Sequence, residues 1–215
     1  MNHLAHLLLA ERSDGLLVGG FLGDFVKGRL KGDRPTAIEQ GIKLHRYIDH
    51  FTDHHPEALG LRALFPDSTR KIAGIALDLM FDHQLALEFT KWHPEALEVF
   101  ERRVFVRLLA NEHAPYFPQA ALAQCQAMSA RLSLSRTVDP EFLSRSLSEV
   151  KSRLRNGQAL ITPSTIRQIQ SLEPAILPRF DAFFGSLIEA VDAFIADLPL
   201  EEKTRRSQPP TVHTH

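Results

Sequence analysis

The chain has 215 residues, 44% of them hydrophobic and 24% charged, which is typical of a globular protein with a sizeable core. Its formal net charge of −1 gives no overall attraction to nucleic acid or membrane, and no apolar run approaches the roughly 20 residues of a membrane-spanning helix. The single cysteine, Cys125, excludes an internal disulfide and a cysteine zinc cage, so we expect a cytoplasmic protein.

Two apolar segments open the chain. Residues 2–10 predict a short helix, and residues 16–26 form a second apolar run that contains Gly19, Gly20 and Gly23. Each glycine costs about 1 kcal/mol relative to alanine within a helix, so packing or function must explain them. The spacing is not that of a nucleotide-binding loop and no strand follows, so we interpret these glycines as positions where a neighbouring backbone approaches closely.

The densest chemistry lies in a central helix that we expect to begin near Pro35 and end at Pro56. Residues 45–56 contain four histidines, two aspartates and one arginine. On a helical wheel, His45 and Asp49 share a stripe with the isoleucines of this helix and therefore point towards the core. A buried imidazole and carboxylate need partners, because burying unpaired polar groups costs several kcal/mol.

The next helix, at about 69–90, is apolar on nearly all sides and is therefore predicted to be buried, although it contains Asp78, Asp82 and His83. Asp67 and Ser68 are its expected N-cap. Further helices are predicted at about 95–109, 119–131, 140–155 and 179–197. With no period-two alternation and no long linker, the sequence predicts an all-α, single-domain helical bundle over residues 1–198 and a disordered tail over 199–215.

Two helices thus carry acid and imidazole pairs on stripes that face the core. The candidate site residues share carboxylate or imidazole chemistry: Asp24, His45, Asp49, Asp53, Asp78, Asp82 and His83. Such ligands without sulfur suit Mn²⁺, Mg²⁺, Fe or Zn²⁺. The alternative is that they form structural ion pairs and that His83 is a hydrogen-bonded core histidine. For any one of these residues taken alone, the structural role is favoured. Two acid and imidazole pairs that both face inward in one small domain, however, favour a functional site.

Four ordered motifs in the first 90 residues resemble those of the acyl carrier protein phosphodiesterases. They are Met-Asn-x-Leu-Ala-His-Leu-x-Leu-Ala (1–10), Gly-Asp-Phe-x-Lys-Gly (23–28), Gly-Ile-x-x-His-Arg-x-Ile-Asp-x-Phe-Thr-Asp-x-His-Pro (41–56) and Leu-Asp-x-x-x-Asp-His (77–83). His3 stands where the family has an aromatic or apolar residue, and Gly20 where asparagine is common.

The resemblance implies Mn²⁺-dependent hydrolysis of the phosphodiester that joins 4′-phosphopantetheine to a serine of acyl carrier protein, a reaction linked to fatty acid biosynthesis. It also implies a likeness to the helical HD-type metal phosphohydrolases, although Asp82-His83 has the reverse order of their His-Asp pair. On this basis we expect a metal held by Asp24, His45, Asp82 and His83, with Asp49 as a further ligand or as a group that orients a histidine.

The remaining roles follow from charge. Arg46 is expected to bind the phosphate, and Asp53 or Asp78 to assist proton transfer. The basic residues Lys27, Arg29 and Lys31 are expected to contact the acidic surface of the carrier protein. Two other functions stay open at this point: a metal phosphohydrolase of a nucleotide or other small phosphoester, and a non-catalytic helical binding module.

Overall fold

The computed structural model describes residues 2–154 and 157–199, so the predicted disordered tail lies outside the described residues except for Pro199. Within that part every regular element is a helix and no strand occurs, which confirms the predicted all-α class and single helical domain. The boundary at residue 198 stays a prediction. No helix of the described segments combines the length and apolar character needed to cross a membrane.

The α-helices follow one another through short connections. In chain order they are α1 His3–Ala10, α2 Asp14–Leu22, α3 Thr36–His54, α4 Pro56–Ala63, α5 Ala73–Leu87, α6 Phe89–Trp92, α7 Leu97–Leu108, α8 Gln119–Arg131, α9 Phe142–Arg153, α10 Gly157–Leu160, α11 Pro163–Gln170, α12 Glu173–Ile176 and α13 Phe180–Ala196. Short 3₁₀ turns occupy Arg70–Ile72, Asn111–Tyr116, Ser135–Val138 and Leu177–Arg179.

The core is built around α1, α2 and α5, whose residues are mostly buried. α3 is amphipathic and buries one stripe. The aromatic residues of α13 pack over this centre, with the rings of Phe183 and Phe81 5.0 Å apart between centroids. Since each buried apolar side chain stabilises the fold by roughly 1.5–3 kcal/mol, α1 and α3 form a firm frame for the polar groups they carry.

Helices α2 and α3 approach each other at glycines. A Cβ on Gly19 would lie 2.1 Å from the carbonyl oxygen of Ile38, and one on Gly41 would lie 2.5 Å from that of Leu16. Both distances are far below van der Waals contact, so only glycine permits this crossing. The structure confirms that the glycines of the second apolar run serve close helix packing.

The predicted helix at 69–90 is divided in the structure. A 3₁₀ turn at Arg70–Ile72 precedes α5, and the chain breaks again at Glu88 before the short α6. The predicted N-cap is wrong, because the Asp67 carboxylate instead accepts hydrogen bonds from the Arg70 side chain. A tight turn fixes this start: the backbone N–H of Thr69 donates to the carbonyl of Pro66.

The loop between α2 and α3, which we call the basic loop (residues 24–35), is shaped by two glycines and two anchors. Gly28 and Gly32 have φ of 77° and 71°, a left-handed conformation that glycine adopts without strain. The backbone N–H of Gly32 donates to Glu39 at 2.8 Å, and the Arg46 side chain donates to the carbonyl of Val26 at 2.8 Å. The loop is therefore tied to α3.

Candidate active site

A cluster of three side chains, two buried imidazoles and one half-exposed carboxylate, joins α1 to α3. His45 and Asp49 lie one turn apart on α3, and His6 enters from α1. The Nε2 atom of His6 is 3.1 Å from one Asp49 carboxylate oxygen, and that of His45 is 3.2 Å from the other. Two imidazoles therefore converge on one carboxylate, and we call these three residues the His–Asp cluster.

The orientation of His45 is fixed by its second ring nitrogen. Its Nδ1–H donates to the backbone carbonyl of Gly20 at 2.8 Å, which aims Nε2 at Asp49. The ring also rests against Gly23, where a Cβ would lie 2.1 Å from the imidazole. A histidine held in this way through a backbone carbonyl is typical of metal-binding histidines.

Asp24 stands beside the cluster at the start of the basic loop. Its two carboxylate oxygens lie 3.7 Å from Nε2 of His45 and 3.9 Å from Nδ1 of His3. Both distances exceed a hydrogen bond, and the Asp24 side chain is 49% exposed. It is thus close enough to act on a group bound at the cluster and open enough to exchange protons with water.

Burial and charge set the protonation of the cluster. Burial lowers the pKa of His6 to about 4, with the Asp49 hydrogen bond opposing this and the neighbouring His45 adding to it. Partial burial raises the pKa of Asp49, but hydrogen bonds from both histidines outweigh it and hold that pKa well below its ordinary value. At neutral pH the cluster therefore presents an ionised carboxylate and a His6 ring with a lone pair.

The structure does not bring Asp82 and His83 to this cluster, although the sequence predicted them as metal ligands. The buried Asp82 carboxylate accepts the backbone N–H groups of Leu4 at 2.9 Å and Asn2 at 3.3 Å. It satisfies N–H groups at the start of α1 that have no partner within the helix. Burial raises the pKa of Asp82 to about 7, and these two hydrogen bonds oppose the rise only in part.

His83 also has a structural partner. Its Nδ1–H donates to the carbonyl of Thr137 at 2.5 Å, and its ring stacks on Phe142. Neighbouring residues of a helix point about 100° apart, so Asp82 and His83 reach different parts of the molecule. They fix α5 to α1 and to the segment between α8 and α9.

The other predicted catalytic residues have separate surroundings. Arg46 is half-buried and donates to the backbone of the basic loop, so it holds the loop in place. The exposed Asp53 forms a salt bridge with Arg62 at 2.6 Å. Asp78 lies on the wall of a cleft next to Asp82. The structure therefore brings Asp24, His45 and Asp49 together and places Asp53 and Asp78 elsewhere.

The predicted docking residues lie on the surface of the basic loop. Lys27, Arg29 and Lys31 are exposed, and all three line a small depression of about 250 Å³. In the same loop Arg34 pairs with Asp33 at 2.7 Å. Three lysine and arginine side chains thus form a local positive surface that begins three residues after Asp24.

Sequence reasoning missed His6. It lies in a helix made otherwise of leucine, alanine and His3, and it is 4% exposed. The signal was present, because a histidine within such an apolar helix is as unusual as the Asp82-His83 pair. His6 also belongs to the N-terminal motif that carried the family resemblance.

The fold and the site together define a class. An all-helical domain carries a sulfur-free group of two imidazoles and one carboxylate, with a second carboxylate and a positive loop beside it. Such donors suit a divalent cation, and a positive loop suits an acidic or phosphorylated partner.

Comparisons with known proteins agree with this class. Residues 1–187 match the family model described as acyl carrier protein phosphodiesterase. Proteins of that name are 36% identical over 163 residues in Klebsiella pneumoniae subsp. pneumoniae (74% of this chain, 82% of the relative) and 43% over 94 residues in Photorhabdus laumondii subsp. laumondii (44% and 48%). The chain belongs to the acyl carrier protein phosphodiesterase family, which confirms the predicted resemblance and enzyme class.

No solved structure matches the chain. The likeness to HD-type phosphohydrolases stays a prediction, since only the helical class of the fold is confirmed.

Proposed function

We propose that this protein hydrolyses the phosphodiester between 4′-phosphopantetheine and a serine of acyl carrier protein. Family membership over residues 1–187 supports the reaction class, and the His–Asp cluster beside Asp24 is the observation that carries the assignment of the site. Water attacks phosphorus, the bond from phosphorus to the serine oxygen breaks, and that oxygen gains a proton. The products are apo-carrier protein and 4′-phosphopantetheine as a monoester.

A divalent metal, Mn²⁺ in the first instance, belongs to the same proposal. Donor atoms of His6, His45 and Asp49 lie within 4.8 Å of one another, which suits ligands of a single ion. The Nδ1 atom of His6 is buried and has no hydrogen-bond partner among the described residues, a cost that a bound ligand or water can offset. When bound, a divalent cation neutralises phosphate charge and lowers the pKa of water.

Within this proposal Asp24 is the proton-transfer group. It is half exposed, and its carboxylate does not hydrogen-bond to His45 or His3. A carboxylate in that position can accept the proton of the attacking water or return one to the serine oxygen. Asp49 contacts both histidines through the nitrogen atoms that would bind the ion, so with the ion bound it would be a ligand beside them and not a proton-transfer group.

The basic loop is the proposed docking surface for the acidic carrier protein. Lys27, Arg29 and Lys31 are exposed, and Arg46 fixes the loop through the carbonyl of Val26. Opposite charges at the rim of an interface mainly raise the rate of encounter, so a local patch suffices in a chain of net charge −1. A cytoplasmic location is part of the proposal, in keeping with a free, buried Cys125.

Mass spectrometry of holo-acyl carrier protein tests the proposal directly. Incubation with the protein and Mn²⁺ should remove the phosphopantetheine mass, while His45→Ala should leave the carrier protein unchanged. An unaltered holo-carrier protein, with turnover of a nucleotide or another small phosphoester instead, would show a different phosphohydrolase. A protein that binds no stoichiometric metal and keeps its melting temperature after dialysis against a chelator would be a binding module.

A further inference from the structure

A cleft of about 500 Å³ opens beside α1, with walls from α5, α8 and α9. Its volume lies within the range of roughly 300–1,000 Å³ that is usual for small-molecule sites. Leu79, Met128 and Phe142 contribute apolar surface, and Gln124 and Ser146 contribute neutral polar groups. A site with this mixture suits a ligand that has both amide and hydrocarbon parts.

His3 lies between the cleft and Asp24, the carboxylate beside the His–Asp cluster. This residue lines the cleft and its Nε2 contacts the amide nitrogen of Gln124 at 3.0 Å, while its Nδ1 faces Asp24 at 3.9 Å. His3 and His6 are three residues apart on α1, and such residues share one helix face at a rise of about 4.5 Å. A group bound at the cluster is therefore about one helical turn from the cleft.

The charges of the cleft do not favour a phosphate. Its wall carries the carboxyl groups of Asp78 and Glu149 against the single guanidinium of Arg131, and the Asp82 carboxyl is directed to the N-terminus of α1. With no positive surplus, this wall provides little attraction for an anion. The basic loop, in contrast, carries more positive than negative side chains and can attract an anion.

Resting on the proposed function, we propose that this cleft binds the uncharged amide-and-thiol arm of the 4′-phosphopantetheine group while its phosphodiester lies at the cluster. The substrate has three parts: an acidic protein, a phosphodiester and a neutral arm. The protein offers three matching surfaces: the basic loop, the His–Asp cluster and the cleft. Asp24 lies between them, because the basic loop begins at this residue and its carboxylate is 3.9 Å from His3, which lines the cleft. The neutral arm fits the only one of these surfaces that is both concave and free of positive surplus.

A tryptophan scan of the cleft tests this inference. Ala127 lines the cleft on α8 and is half-buried, so Ala127→Trp fills the space without replacing a core residue. Ala130 lies on the same helix, is exposed and does not line the cleft, and Ala130→Trp is the matched control. Ser146→Trp fills the cleft from α9 and replaces the first variant if circular dichroism shows that it is misfolded.

Two readouts separate the inference from the proposed function. Calorimetry with free pantetheine, which lacks the phosphate, should show binding by the unaltered protein and by Ala130→Trp. The affinity for pantetheine should be at least about tenfold lower in Ala127→Trp. The kcat/KM for holo-carrier protein should fall by a similar factor in Ala127→Trp alone, with Mn²⁺ binding unchanged.

Absence of pantetheine binding by the unaltered protein overturns the inference. Unchanged binding and kcat/KM in both cleft variants also overturn it, and release of phosphopantetheine would then leave the proposed function in place. Pantetheine binding that Ala127→Trp abolishes, in a protein that does not cleave holo-carrier protein, would support the cleft and refute the proposed function.

Discussion

The imidazole rings of His6 and His45 stack with their centroids 4.0 Å apart and their planes inclined by 21°. The two residues are far apart in sequence, on α1 and α3, yet both direct Nε2 at Asp49. Two stacked rings resist double protonation because like charges at this distance repel. The stack adds to burial in lowering the pKa of His6 to about 4, and a neutral imidazole is the form that binds metals.

His6→Ala should weaken Mn²⁺ binding by about a hundredfold or more and abolish turnover, because it removes one of three converging donors. His83→Ala is the matched variant: its imidazole bonds to Thr137 and lies outside the cluster. It should reduce stability by roughly 1–3 kcal/mol and keep the metal affinity. Metal titration and urea denaturation of both variants measure the two effects.

The opposite pair of results would support the metal site predicted from the sequence, in which His83 is a ligand. If His83→Ala loses the metal and His6→Ala keeps it, the His–Asp cluster is not the metal site. His54→Ala, on the exposed face of α3, should leave both metal binding and turnover unchanged.

Gly23→Ala should lower both activity and stability. The added methyl group meets the His45 ring at 2.1 Å, so the imidazole must move away from Asp49 or the helices must separate, at about 1–3 kcal/mol. Gly60 in α4 has open space around its Cβ position, and Gly60→Ala should instead stabilise the protein by about 0.5–1 kcal/mol. Denaturation curves of the two variants measure these changes in the free energy of unfolding. Equal changes in both variants would show that Gly23 does not contact His45.

Half of the site could be predicted from the sequence because helical periodicity determines which residues of one helix face inward. The stripe of α3 predicted that His45 and Asp49 both face the core; His45 is buried, whereas Asp49 is half exposed and faces both imidazoles. Periodicity does not determine which other helix supplies their partners. α5 and α1 are both apolar all round, so neither has a distinct face. The partner is His6, and Asp82 instead caps the helix that carries it.

The fold was predictable for a related reason. Helix ends marked by proline were placed well: Pro118 precedes α8, and Pro56 follows the end of α3 by two residues. The break at Glu88 was missed, because an apolar run continues through it to Phe89. No proline or glycine marks this break in the sequence.

Charge reversal at Lys27 and Arg29 should raise the KM for holo-carrier protein and leave kcat almost unchanged. The two side chains are exposed on the basic loop and are not members of the cluster. The effect should be larger at low salt, because the Debye length grows from about 8 Å at physiological ionic strength to about 30 Å at 0.01 M. Lys43→Glu, exposed on α3, is the control. A KM that changes equally in the control would exclude the loop as a specific docking surface.

Asp82→Asn should change how stability depends on pH. In the folded protein burial raises the pKa of Asp82 to about 7, against an ordinary value of 3.8. Between these values the folded chain retains a proton that the unfolded chain has released, so the contribution of Asp82 to stability declines as pH rises. The slope is at most about 1.4 kcal/mol per pH unit. Asparagine cannot ionise and removes this slope.

The pH profile of Asp82→Asn must be compared with that of the unaltered protein, because His6 makes stability rise with pH whereas Asp82 makes it fall. The pKa of His6 is lowered to about 4, so its contribution to stability grows from pH 4 up to the ordinary histidine pKa of 6.5. This contribution is common to both proteins and cancels in their difference. Urea denaturation from pH 4.5 to 7.5 should show Asp82→Asn becoming more stable relative to the unaltered protein as pH rises, with no further change above about pH 7. Parallel profiles would show that Asp82 is ionised throughout and caps α1 as a carboxylate.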